Sequence, residues 1–108
     1  MHYVPRGEST VKLQLTDLVI NCIGPETDYR RIDHVLVRNL MRRGLIRPGP
    51  ASLGIDCLPN GAILDCAGAP SSGLYALGST MKGVLWEVLA VPDIRSQAQR
   101  LANELIDR

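Results

Sequence analysis

Phenylalanine is absent from this 108-residue chain, tryptophan occurs once and tyrosine three times. Without aromatic bulk, the interior must be built mainly from Leu, Ile, Val and Ala. Cysteine is also scarce. Cys22, Cys57 and Cys66 form an odd set with no Cys-x-x-Cys pair, and only His2 and His34 are available to join a metal site. This argues against a disulfide framework or a closed metal centre and for three buried or half-buried free thiols in a reducing compartment. No apolar run approaches the length of a membrane span, and no charged-then-apolar leader opens the chain, so the expected setting is cytoplasmic with no membrane partner. Lys and Arg number 12 against 11 Asp and Glu, a net charge of +1. Such a balance supplies no basic field, so nucleic acid is not an expected partner.

Familiar catalytic groupings are missing as well. There is no serine nucleophile elbow, no His-Glu-x-x-His helix and no phosphate loop ending in Gly-Lys-Ser/Thr. Asp17, Asp56 and Asp65 flank apolar segments and read as solvated strand ends or turn caps. A hydrolase confined to this chain is therefore not indicated.

What is present is ordinary globular composition, 45% apolar and 21% charged, in a chain of one domain or less. Residues 1–8 carry strand-like and turn-like pieces with no helix cap or disordered lead-in, as if the chain began within a larger fold. Thr10 to Leu15 alternates apolar Val11, Leu13 and Leu15 with Lys12 and Gln14, the signal of a half-buried strand. Leu18 to Ile23 is apolar almost throughout and ends at Gly24-Pro25, which suits a strand buried on both faces of an α/β sheet. A helix is expected over about 33–43, with Asp33 as N-cap, Val35, Leu36, Leu40 and Met41 as its apolar stripe, and Gly44 as its stop. Arg30, Arg31, Arg38, Arg42 and Arg43 read as a solvated face that complements the helix dipole rather than as a phosphate patch.

Leu53 to Asp65 reads as a β-hairpin turning at Asn60-Gly61, and Gly68 to Gly73 as a loop. The stretch Gly73 to Arg95 organises the rest. It predicts a strand at Leu74 to Leu77, a break at Gly78, a loop, and a second helix over about 92–107 with Pro92 in its first turn. Ile94, Ala98, Leu101 and Leu105 form that helix's apolar face. A strand feeding a glycine-marked loop and then a helix N-terminus presents backbone N–H groups to a polar or anionic ligand.

Two stretches, Ile20-Asn-Cys-x-Gly-Pro-Glu26 and Leu85-Trp-Glu87, are not explained by helix or strand propensity. They fall within a collinear series that includes Tyr3-x-Pro-Arg-Gly-Glu8, Val19-Ile-Asn-Cys-Ile-Gly-Pro-Glu26 with Asp28-Tyr-Arg-Arg31, and Leu74-Tyr-Ala-Leu-Gly78. Gly83-x-Leu-Trp-Glu87, Val91-Pro-Asp-Ile-Arg95 and Gln97-Ala98 complete the set. In this order they resemble the C-terminal part of bacterial FAD/NAD(P)-binding flavoproteins, within the two-dinucleotide-binding-domain class, over nearly the whole chain. The resemblance implies an α/β fold, an incomplete Rossmann-like FAD-binding fold with a β-hairpin and two main helices. It further implies FAD as cofactor and NAD(P)H as electron donor in an oxidoreductase.

Carried onto this sequence, Gly24 would approach the cofactor at the domain crossing and Gly78 would let the backbone reach the flavin side chain. Ser79 stands where the class has Asp, so it would offer a hydroxyl in place of a carboxylate. The N–H groups of Asp93 and Ile94, behind Pro92, would face the flavin O2. Trp86 would cover the ring, or serve as a core anchor; Glu87 would act as proton donor or substrate anchor, or be an ordinary acid. The fingerprint Gly-x-Gly-x-x-Gly, which seats the FAD pyrophosphate, does not occur in this sequence. Hence the chain is expected to be inactive alone. Its expected partners are an N-terminal portion of the flavoprotein and a second copy, joined through the edge of the Leu74–Leu77 strand. The alternative expectation is a non-catalytic binding or assembly module on the same scaffold.

Overall fold

Ile46, Ile55, Cys57, Ile63, Ala76 and Met81 pack into a single apolar cluster, with Tyr29, Leu40, Met41, Leu74, Val84 and Leu85 half-buried against it. The aliphatic core that the composition requires is thus assembled from short segments in the middle of the chain. The computed structural model describes residues 1–22, 24–86 and 89–107. Ile23, the end of the expected apolar strand, and Glu87, the expected proton donor or substrate anchor, lie outside the described residues.

Around the core run β1 (His2–Tyr3), β2 (Lys12–Leu13), α1 (Val35–Arg42), β3 (Ala62–Leu64), β4 (Pro70–Tyr75) and α2 (Val91–Ile106), with 3-10 turns at Tyr29–Arg31, Pro50–Ser52 and Gly78–Met81. Among the described residues, two helices and two antiparallel two-stranded sheets give a mixed α and β chain. The Asn60-Gly61 turn forms as read. Leu58 N–H and Ala62 O meet at 2.9 Å, Gly61 N–H donates to Leu58 O at 2.8 Å, and Asn60 Oδ1 accepts from Ala62 N–H. The second arm of that hairpin is β3, whose other neighbour is β4, paired Ala62↔Tyr75 and Leu64↔Pro70 with an irregular register between. The expected Gly68–Gly73 loop is therefore largely strand, and Ala76 and Leu77 fall beyond the strand end. Asp65 explains the sharp return: its Oδ1 accepts from Ala67 N–H and Ala69 N–H, both at 2.9 Å, forcing the chain back onto β3.

α1 stops where the sequence says. Gly44 N–H bonds to Met41 O and Leu45 N–H to Leu40 O, the paired closure of a helix ending in glycine. Its start differs: the cap is His34, whose Nδ1 accepts from Leu36 N–H at 3.3 Å, while Asp33 instead pairs with Arg38 at 2.7 Å. Val35 and Leu36 of the expected stripe are exposed, and only Leu40 and Met41 reach the core.

The expected strand at Leu18–Ile23 does not form over its described residues, Leu18 to Cys22. Leu18, Val19 and Ile20 lie outside any strand and are mostly exposed, Ile20 by 75%. A run buried on both faces requires neighbouring strands and covering helices, and among the described residues none lies beside it. Upstream, β1 and β2 pair over two residues each, His2↔Leu13 and Tyr3↔Lys12. A lone pair of this length is marginal in water, and its apolar Val11, Leu13 and Leu15 stay exposed rather than half-buried. This N-terminal arm stretches the molecule to 59 × 32 × 25 Å with a radius of gyration of 18.0 Å, against about 13 Å for a compact domain of this length. No helix among the described residues is long and apolar enough to cross a membrane.

Candidate functional site

Gly54 and Ile55 connect the two glycine-ended segments. Gly54 N–H donates to Thr27 O at 2.9 Å, and Ile55 N–H donates to Thr80 O at 2.8 Å. One side of this extended pair thus holds the chain that follows Gly24, and the other holds the turn that begins at Gly78. The approach is close: a Cβ placed on Gly54 would lie 2.2 Å from Thr80 O, at a φ of +75°. Only glycine fits there. The outcome is a recess of about 140 Å³ walled by Pro25, Glu26, Thr27 and Tyr29 on one side and Ser79 and Lys82 on the other.

Each wall is fixed locally. Asp28 caps the Tyr29–Arg31 turn by accepting from Arg30 N–H, and also pairs with the Arg30 guanidinium at 2.7 Å. The Arg30 side chain is the main reason the Asp28 carboxyl is held below its ordinary range. Tyr29 is carried inward by this turn, and burial raises its phenol above the usual value. Glu26 accepts from Thr27 N–H and Asp28 N–H and pairs with Arg31 at 3.3 Å. On the far wall Met81 is the most deeply buried side chain described, 1% exposed, and anchors the Gly78–Met81 turn in the core.

Both glycines that end the expected strands take left-handed backbone, Gly24 at φ +78° and Gly78 at φ +64°. Gly24 stands in open space. Gly78 is buried, and its N–H donates to Gln97 Oε1 at 3.0 Å. Gln97 is 7% exposed, and the sequence reading assigned it no role. It belongs to the face that α2 turns inward, Ile94, Gln97, Leu101 and Glu104. The expected stripe Ile94, Ala98, Leu101, Leu105 is therefore half right: Ala98 and Leu105 are exposed. The polar members of the observed face are seated by specific bonds, Gln97 to Gly78 and Glu104 Oε1 accepting from Asn60 Nδ2 at 2.9 Å. A cavity of about 450 Å³ separates this face from Pro59, Leu77, Met81 and Leu85.

Trp86 is not a core anchor. It is 68% exposed, and Lys82 Nζ sits 5.4 Å from its ring centroid. Lys82, Trp86, Leu89, Ala90 and Asp93 line a second open recess of about 400 Å³ beside the first. Pro92 lies in the first turn of α2, as expected. The N–H groups of Asp93 and Ile94 both donate to Ala90 O at 3.1 Å, so each already has a partner within the helix start. Gly24's neighbours Pro25–Thr27, Ser79, Trp86 and Asp93 are thus brought to one face, whereas Ile94 turns toward the core side.

The arginines behave as a solvated, largely paired set: Arg30 with Asp28 and Ser52, Arg31 with Glu26, Arg38 with Asp33, and Arg42 with Asn39. Of the thiols, Cys57 is buried as expected, while Cys22 and Cys66 are exposed. Among the described residues no cluster of His, Cys, Asp and Glu is arranged to hold a metal. Comparison with family models, with curated proteins and with solved structures finds no match to this chain.

Proposed function

We propose that this chain is the C-terminal portion of an FAD-dependent, NAD(P)H-linked oxidoreductase whose complete fold is Rossmann-like, and that it contributes the ribityl and isoalloxazine side of the flavin site. The observation that carries this reading is the joining of the segments after Gly24 and Gly78 by Gly54-Ile55, so that both line one recess beside Trp86. Gly24 and Gly78 belong to two of the segments that carry the resemblance to flavoproteins.

The residues suit one end of the cofactor. An exposed indole face offers a stacking surface, the neighbouring recess of about 400 Å³ falls in the range of small-molecule sites, and Ser79 offers a hydroxyl toward the ribityl chain. They do not suit the other end, since no glycine fingerprint is present to seat a pyrophosphate. When bound, the flavin supplies the hydride and electron chemistry; the protein contributes binding, orientation and electrostatics. In this role left-handed Gly24 and Gly78 turn the backbone at the recess, and Gln97 locks the second turn in place.

An N-terminal portion of the flavoprotein is the partner this reading implies. The uncovered apolar residues Leu18, Val19, Ile20, Val35 and Leu36 favour it, since each stands where a covering layer would bury it. Among the described residues β3 is the one strand beside β4, and the opposite side of β4 is the place for the proposed contact between two copies. The test is a titration of the isotopically labelled chain with FAD, followed by amide NMR. Binding weaker than micromolar is expected, with shifts concentrated at Gly24, Ser79 and the Trp86 indole. Sub-micromolar binding would refute the half-site reading, and no shift at these positions at millimolar FAD would refute the flavin assignment.

A further inference from the structure

Lys82 is the only cation lining either of the two recesses among the described residues, and it lines both. Its backbone is held by the buried Met81 before it and by its own N–H donating to Ser79 O at 3.3 Å. Its ammonium lies over the Trp86 ring, 5.4 Å from the centroid. Lys12, Arg30, Arg31, Arg38 and Arg47 each pair with a carboxylate within 3.3 Å, whereas no described carboxylate lies in ion-pair reach of Lys82. Arg6, Arg42, Arg43, Arg95 and Arg100 share with Lys82 the lack of an ion pair among the described residues, but none of them lines either recess. The acids bordering the recesses differ in the same way: Glu26 is engaged by Arg31 and two backbone N–H groups, and Asp93 stands beside Lys82 in the outer recess.

We propose that Lys82 is a positioning and selectivity residue that favours a flat ring carrying negative charge, and so binds the reduced, anionic form of the flavin more tightly than the oxidised, neutral form. This rests on the flavin reading given above. A cation fixed at the mouth of a recess, next to an aromatic face, interacts with charge on the ring and little with a neutral ring. Removing it leaves Asp93 as the charge bordering the outer recess, which would disfavour the anion.

The experiment titrates the labelled chain with oxidised FAD and, under argon, with dithionite-reduced FAD at mildly alkaline pH. The readout is the Trp86 indole N–H, the single signal of its kind because the chain has one tryptophan. Lys82→Met and Lys82→Arg are measured alongside, with the Ile55 and Gly61 amides reporting an intact core. Reduced FAD is expected to bind two- to fivefold more tightly, the size typical of a partly exposed charge pair. Lys82→Met should abolish or invert that preference and Lys82→Arg should retain it. Equal affinity for both forms in the unmodified chain, or a preference that survives Lys82→Met, overturns the role of Lys82 and leaves the flavin assignment standing. Absence of any shift with either form overturns both.

Discussion

Replacing Gly54 by alanine should damage the fold and the candidate site together. The added methyl would stand 2.2 Å from Thr80 O, 2.9 Å from Thr80 C and 3.3 Å from Lys82 N, all backbone atoms that cannot rotate away. To reach ordinary contact the Gly78–Lys82 segment must withdraw by about 1 Å, and the 2.8 Å bond from Ile55 N–H to Thr80 O is lost. Losing that bond costs about 1–3 kcal/mol, and a left-handed alanine adds about 1–2 kcal/mol. The expected total is about 2–5 kcal/mol, a large share of the roughly 5–15 kcal/mol that stabilises a domain of this size. With a urea dependence of about 1–3 kcal/mol per molar, the midpoint should fall by roughly 0.7–5 M, near 2 M for mid-range values.

Two further substitutions separate the terms. Gly24→Ala has a similar φ of +78° but open space around the new methyl, so it carries the backbone cost alone. Gly73→Ala meets nothing within 4 Å and has no left-handed φ, so it should change stability by no more than about 0.5 kcal/mol. Urea unfolding followed by far-ultraviolet circular dichroism measures all three. If Gly54→Ala costs no more than Gly24→Ala, the close approach of Gly54 to Thr80 is not a feature of the folded chain and the joining of the two glycine-ended segments fails with it.

Gln97→Leu fills similar volume but leaves the buried Gly78 N–H without its acceptor, so it should cost about 1–3 kcal/mol; hydrogen exchange at the Gly78 amide should accelerate more than at Gly61. Burial, aided by the Asp56 charge, pushes the Cys57 thiol up to about 11 from 9.0. In the native chain at mildly alkaline pH a thiol reagent should therefore label Cys22 and Cys66 and spare Cys57, which mass spectrometry of the digested protein would show. Because the folded value lies above the unfolded one, the stability linked to Cys57 is intact below pH 9 and declines as pH rises toward 11. A Cys57→Ala variant should lack that part of the alkaline decline in urea titrations.

Local signals in the sequence were strong where chemistry and backbone coincide. Gly44 ends α1 because a glycine closing bond is nearly self-contained, and Asn60-Gly61 turns the chain by bonds within five residues. Pro92 marks the start of α2 for the same reason. The misreadings lie where distant partners decide. Pro70-Ser71-Ser72-Gly73 has poor strand propensity, yet pairing with β3 imposes strand geometry on it. Leu18–Ile20 has the opposite fault, with strand composition and no described neighbour to pair with.

At the candidate site, Gly24, Gly78, Ser79 and Trp86 were legible from the two glycine breaks and the Leu-Trp-Glu segment. Gly54, Gln97 and Lys82 were not. Gly54 looked like any residue in a hairpin arm, and its importance comes from a contact 26 positions away in sequence. Gln97 interrupts the apolar period of α2, and a polar residue at i+3 from Ile94 was the signal that could have shown a buried acceptor. Lys82 lay inside the stretch singled out as a ligand loop, but without the Trp86 ring beneath it nothing marked it apart from other lysines.

The extended N-terminal arm also bears on how the assembly state would be measured. A radius of gyration of 18.0 Å is that of a compact domain of about 250 residues. One copy of this chain will therefore leave a size-exclusion column where a compact protein of roughly twice its mass emerges, and shape alone would imitate the proposed pairing through β4. Light scattering, which weighs the particle irrespective of its outline, is the measurement by which one elongated copy is told from two.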